Sequence, residues 1–209
     1  MTRTLRYGGF IAAAVLIVFG VVAIVMGVNG RSTVSDSLKL EAITGSADMN
    51  PTAIAAEAKE AGLPATISLP TCSVADQPIT TGASARCFAS YMRIHALEAS
   101  GGKTYSQLPR FATADGAGTS DKAAALKDDA GALLSNPARD QWITATALTT
   151  ALNVSYMAEQ LALFGIVVGV ALVLTGIGFG VLAAGLIGRQ PRETAEVKAP
   201  VLAGAVPAI

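Results

Sequence analysis

The side chains best able to do chemistry crowd into one short stretch. Tyr91, His95, Glu98, Lys103 and Tyr105 lie within fifteen residues and bring an imidazole, a carboxylate, an amine and two phenols. His95 is the only histidine of the chain. On a helix it neighbours Phe88, Tyr91 and Met92, which reads as a packed, hydrogen-bonded ring before it reads as a ligand or a base. Serine catalysis lacks its nucleophile elbow, since no G-x-S-x-G occurs. Serines and lysines are plentiful, but nothing singles out one pair. The run Gly176-Ile177-Gly178-Phe179-Gly180 is no phosphate loop, because it sits in an apolar stretch without the strand–loop–helix setting. The expectation is a non-enzymatic protein with no cofactor, whose five clustered residues contact a partner.

The two cysteines, Cys72 and Cys87, bound the chemistry further. A structural zinc site takes four ligands in close pairs, and two cysteines with one histidine do not supply them, so no metal is expected. In an exported segment two cysteines are expected to pair. The closed loop would stabilise a small domain by ~3 kcal/mol in the chain-entropy model.

These residues must be held by something, and composition says what. Of 209 residues 52% are hydrophobic, only 14% charged and 5% aromatic. Two apolar stretches explain the bias, Gly8–Val28 and Leu161–Gly188, each about as long as the ~20 residues that cross a bilayer as a helix. The first is too long for a signal-peptide core and no A-x-A site follows it, so it reads as a signal anchor. Net charge is zero and no basic patch interleaves with aromatics, which disfavours nucleic acid. Arg3 and Arg6 flank one stretch, and Arg189, Arg192 and Lys198 follow the other. Fewer basic residues (Arg31, Lys39, Arg139) lie between the stretches and near their inner ends. The positive-inside rule then places both termini in the cytoplasm of a two-pass plasma-membrane protein, with the middle outside.

The organisation expected is a cytoplasmic N-terminus (1–7), a first span (8–28), an extracytoplasmic helical domain (29–160), a second span (161–188) and a disordered cytoplasmic tail (189–209). Residues 31–50 start at the membrane and end in loop chemistry. Asn50-Pro51 reads as N-cap and first helical position of a helix closed by Gly62. Thr66–Leu69 is short and could be extended. Ala85–Ser100 is the best helix of the domain: Cys87, Phe88, Tyr91, Met92, Ile94 and His95 share a face, Ser90 and Arg93 lie opposite, and Gly101-Gly102 ends it. Ala112–Ser135, rich in Ala, Gly, Asp and Ser, reads as a mobile insertion with a short helix at Asp121–Lys127. Asn136-Pro137 repeats the start signal, and no proline follows before the second span ends. One helix of about 75 Å, at ~1.5 Å per residue, is expected over 137–188. Trp142, Ala145, Leu148, Leu152 and Tyr156 would be its packed stripe. The sequon at Asn153 is mid-helix beside the bilayer and is discounted. The fold class is therefore mainly α: a two-helix transmembrane hairpin, a small helical outer domain and a long second helix.

Small residues suggest how the spans meet. Gly165, Gly169, Gly176, Gly180 and Ala183 fall within about 60° of one face, and Gly9, Ala13, Gly20, Ala23 and Gly27 within about 80°. Facing grooves of this kind let backbones approach closely in lipid. Neither stretch has a charged or amide side chain at its centre, so a proton relay is not expected.

Residues 91–108, YMRIHALEASGGKTYSQL, resemble a family of small actinobacterial membrane proteins. The likeness runs through Ile94, His95, Ala96, Leu97, Glu98, Gly101, Gly102, Lys103, Thr104, Tyr105 and Leu108, with a similar segment at Thr33–Asp36. It implies two membrane helices around an outer domain, with a helix entering the second span. The cysteine loop and Ala112–Ser135 are departures from the family's shorter domain. Such proteins are often labelled aromatic ring-opening dioxygenases. A facial iron site takes two histidines and a carboxylate, and His95 stands alone. The expected role is a structural or accessory component of an envelope complex, with membrane lipids and a membrane protein or a second copy as partners. The alternative is a binding module for a small envelope ligand, a lipid or a glycan.

Overall fold

A computed structural model describes residues 2–188, with side chains for 4–185; the expected tail at 189–209 lies outside the described residues. The chain is mainly helical: α1 (Thr2–Leu40), α2 (Pro51–Glu60), α3 (Gly82–Ala99) and α4 (Pro137–Gly188), with a short 3-10 turn at Tyr105–Gln107. Among the described residues β structure is limited to isolated bridges. The chain falls into two compact units, a terminal one (up to Phe19 and from Leu172 on) and a central one (Gly20–Ala171), and α1 and α4 contribute to both.

α1 and α4 are each long and apolar enough to cross a membrane. Their large apolar side chains point outward: Phe19, Met26, Leu161, Phe164, Leu174 and Leu182 are all at least 64% exposed. Apolar surface on that scale is a cost in water and suits a hydrocarbon solvent. Within the terminal unit, a Cβ added at Gly176 would stand 2.7 Å from Ile17 Cγ1 and 2.9 Å from the Ala13 carbonyl oxygen, and one at Gly9 3.0 Å from Ala183 Cβ. Gly180 is looser, 3.8 Å from Ala13 Cβ. Within the central unit, a Cβ at Gly169 would meet the Gly20 carbonyl at 2.6 Å, one at Gly27 the Ala162 carbonyl at 2.5 Å, and one at Gly165 the Ala23 carbonyl at 3.7 Å. At Gly169, Gly176 and Gly27 only hydrogen fits.

α1 does not stop at Val28 but continues to Leu40. The polar run after Asn29 stays helical because its side chains bond along the helix. Thr33 donates to the Asn29 carbonyl, and Lys39 pairs with Asp36 one turn away. Leu38 then enters the core, with Val34 packed against it. Glycine at 30 is a packing choice, its missing Cβ lying 3.3 Å from Ala162 Cβ.

α2 begins as its sequence requires. Asn50 accepts hydrogen bonds from the Thr52 and Ala53 amides, Pro51 takes the first helical position, and Gly62 follows the helix with φ +66°. α2 buries Ile54 and Ala58. The segment before it is knitted to the loop after Cys72: Gly45 donates to Gln77 O, Val74 to Met49 O and Ile79 to Ile43 O. Thr66–Leu69 forms no strand; it opens in a turn in which Ile67 N–H donates to Pro64 O.

α3 is the core helix of the central unit. It starts at Gly82, earlier than Ala85, because Thr81 and Ser84 form a reciprocal capping box. Its buried set is wider than a single stripe, taking in Ala85, Cys87, Phe88, Ala89, Tyr91, Ile94, Ala96 and Leu97. Ile54, Trp142 and Leu152 come in from α2 and α4 to the same cluster. Gly101 and Gly102, at φ +62° and +77°, turn the chain out of the helix.

Residues 112–135 hold no helix at Asp121–Lys127. Leu126 N–H donates to Ala112 O, Leu134 to Leu126 O and Ala112 to Leu134 O, so the segment doubles back in bridged turns. Asp121 and Asp128 explain why: each carboxylate accepts a backbone N–H two residues on, Ala123 and Ala130, which competes with helical bonding. α4 runs unbroken from Pro137 to Gly188, entered by Asn136, whose side-chain oxygen accepts from Ala138 N–H.

Candidate functional site

Two distinct neighbourhoods draw on the five clustered residues. The first lies where α3 faces α2. His95 Nε2 stands 3.4 Å from Asp48 Oδ2, and its Nδ1 stands 3.2 Å from Glu98 Oε2 and 3.8 Å from Glu57 Oε2. Glu57 is on the α2 side next to buried Ile54 and Ala58, and Asp48 comes from the pinned loop before α2. Glu98 is one turn beyond His95 on α3. The ligand atoms of Asp48, Glu57 and His95 all lie within 4.8 Å of one another. Burial, then the neighbouring Asp48 and Glu98 carboxylates, pushes the Glu57 carboxyl above its ordinary range, while His95 pulls it the other way. Glu98 Oε1 is buried without a hydrogen-bond partner among the described residues.

Asp48 and Glu57 escape a reading of residue types alone. Carboxylates are common, and the pair is joined to His95 only by the packing of α2 on α3. One signal was available: Glu57 sits three residues after Ile54 and one before Ala58, on the apolar side of an otherwise exposed helix.

The second neighbourhood is the turn after α3. Ser100 Oγ donates to Lys103 O at 2.6 Å, and Trp142 Nε1 from α4 donates to the same carbonyl at 2.9 Å. The Lys103 and Tyr105 side chains are exposed, and the Arg139 guanidinium lies 4.0 Å over the Tyr105 ring. The backbone of this turn is therefore fixed while its side chains face outward.

Tyr91 belongs to neither surface. It is fully buried, and its hydroxyl donates to Cys72 O at 2.5 Å. Burial also pushes its phenol upward. Its bulk and its hydrogen bond make it a core residue with no face to offer a partner. His95 and Glu98 are likewise turned toward α2. Of the five, only Lys103 and Tyr105 present their side chains outward.

Cys72 and Cys87 are joined by a disulfide, with Cα atoms 6.1 Å apart. Together with the Tyr91 hydrogen bond it ties the loop before α3 to the helix. At the first residue of α3, Gly82 N–H donates to Glu159 Oε2 at 2.6 Å, and Glu159 Oε1 pairs with Arg31 of α1 at 3.3 Å. Three helices thus meet at one carboxylate.

A groove of about 360 Å³ runs between α3 and α4, lined by Arg86, Ser90, Arg93, Thr146, Thr149 and Asn153 among others. Arg86 lies 4.6 Å over the Tyr156 ring and Arg93 6.0 Å over Trp142. No family model, curated protein or solved structure matches the chain.

Proposed function

We propose that this is a non-enzymatic two-pass membrane protein, an accessory component of an envelope or membrane complex, whose outer helix-turn meets a partner protein. Both termini lie on the cytoplasmic side and the domain between the spans lies outside. The basic residues at the two ends support that orientation, and a disulfide suits an oxidising compartment.

The observation that carries the reading is the turn at Lys103–Tyr105. Its backbone is held by α3 and α4 while a cation and an aromatic ring project, so contact costs little ordering entropy. The test is co-purification in mild detergent of the wild type and the double variant Lys103→Glu/Tyr105→Ala. Loss of a partner band with Trp142 emission unchanged is the expected result. A wild-type chain extracted as a lone monomer overturns the proposal. Protease added to spheroplasts should cut within 112–135 and spare both ends.

The α3–α4 groove favours a second reading, a module for a small anionic envelope ligand such as a lipid headgroup. Two guanidiniums among hydroxyl and amide side chains suit a phosphate. Native mass spectrometry would then show a lipid retained by the wild type and lost in Arg86→Ala/Arg93→Ala.

A further inference from the structure

Three carboxylates surround one imidazole at the α2–α3 contact, and their charges do not balance. Among the described residues no lysine or arginine nitrogen comes within 4.0 Å of Asp48, Glu57 or Glu98; His95 is the one basic group that pairs with them. The ring's protons narrow the options. An ionised Glu98 can only accept, and in the tautomer that suits it His95 Nδ1–H donates to Glu98 Oε2 at 3.2 Å. In the neutral ring the lone pair is then on Nε2, which faces Asp48 Oδ2 at 3.4 Å. Two acceptors at that distance need a positive charge between or upon them. Donors each ~2.0–2.1 Å from a tetrahedral ion stand roughly 3.4 Å apart, the separation observed. Glu57 Oε2 approaches the ring at the other nitrogen, 3.8 Å from Nδ1, and one ligand atom from each of Asp48, Glu57 and His95 lies within 4.8 Å of the others, so a small turn of the Glu57 carboxylate brings a third donor to the ion. Glu98 is left in the role of the carboxylate that orients a metal-bound histidine through its other nitrogen.

We propose that Asp48, Glu57 and His95 Nε2 bind one divalent first-row cation of the zinc class, with Glu98 as the positioning residue for the imidazole. Mixed nitrogen and carboxylate donors suit such ions better than calcium or magnesium, which take oxygen alone. Three protein ligands leave a fourth position for water or for a donor from a partner. The cation joins the loop before α2 to α3, so binding it stabilises the helical domain. The proposal is independent of the accessory reading, which is tested at Lys103 and Tyr105.

The experiment uses the untagged full chain in detergent micelles, stripped with EDTA and then titrated calorimetrically with Zn²⁺ alone, and separately with Mn²⁺. The expected result is one Zn²⁺ per chain, bound in the micromolar range or tighter, with a rise in thermal midpoint reported by Trp142. His95→Ala should abolish the heat of binding, and Asp48→Asn and Glu57→Gln should each weaken it at least ~10-fold. Glu98→Gln should weaken it ~10–100-fold with the stoichiometry still one. Lys122→Ala, at an exposed position outside the cluster, should bind as the wild type does. Unchanged Trp142 emission in the stripped Asp48→Asn and Glu57→Gln variants shows that the fold persists. Failure of the wild type to bind either ion overturns the proposal. Wild-type affinity in Asp48→Asn or Glu57→Gln overturns it equally.

Discussion

Gly82→Ala separates helix propensity from tertiary packing. Alanine is the better helix former, and by propensity alone the change at the start of α3 is neutral or helpful. The structure reverses the sign. A Cβ at this position would lie 2.7 Å from Tyr156 Cα and 3.0 Å from Ser155 O, both backbone atoms of α4, and 2.7 Å from Glu159 Oε2. Backbone cannot rotate away as a side chain tip can, so α3 must lift from α4. That movement stretches the 2.6 Å hydrogen bond from Gly82 N–H to Glu159. Overpacking costs ~1–3 kcal/mol, and a weakened hydrogen bond to a charged group forfeits part of ~1.5–3 kcal/mol. A net loss of about 2–4 kcal/mol follows, or a thermal midpoint lower by roughly 5–15 °C. The assay is thermal unfolding of the full chain in micelles, followed by the single tryptophan, Trp142, which packs in the same core. Ala83→Gly, at the exposed neighbour, gives the propensity effect alone and should cost no more than ~1 kcal/mol. A Gly82→Ala midpoint equal to or above wild type would refute the assigned contact of α3 with α4.

Reducing Cys72–Cys87, a separation of 15 residues, should lower the stability of the central unit by ~3 kcal/mol, measured by denaturant titration with and without reductant; a change within error would mean that the Tyr91 and core contacts hold that loop unaided. Gly169→Val should destabilise the α1–α4 pair by about 2 kcal/mol in a mixed-micelle SDS titration, since its Cβ meets the Gly20 carbonyl, whereas Gly178→Val, with open space around it, should stay within ~0.5 kcal/mol of wild type. Equal effects at the two glycines would contradict the packing. Glu57→Gln tests the cluster through pH, with EDTA present throughout. The folded state raises the Glu57 carboxyl above its ordinary 4.5, so its stabilising contribution is complete below that value and is lost as pH rises through the folded value. At pH 7 the ionised carboxylate is therefore a net cost, screened because the side chain is about one-third exposed. Glu57→Gln should be the more stable protein at pH 7 by ~0.5 kcal/mol, with the advantage vanishing on acidification; an advantage that grows toward low pH would reverse the sign and sink the assignment.

Local rules carry far along this chain. Asn50-Pro51 and Asn136-Pro137 start α2 and α4 because an amide side chain can cap the first turn and proline needs no partner there. α4 continues for 52 residues because nothing in its sequence interrupts it. With only two cysteines, pairing had one solution. All of these depend on residues within a turn or two of one another, or on a count. What the tertiary structure decided depends on distance in space. The extension of α1 to Leu40 follows from the core that accepts Leu38, and the loss of a helix at Asp121–Lys127 from aspartates that cap turns instead. Tyr91 moved from candidate contact to core because the Cys72 carbonyl is where its hydroxyl points. His95, alone among 209 residues, acquired three carboxylate neighbours, two of them from another element. Sequence spacing on one helix reaches three or four residues, whereas Asp48 and Glu57 stand 47 and 38 positions away; only the packing of α2 against α3 brings their charges to the imidazole.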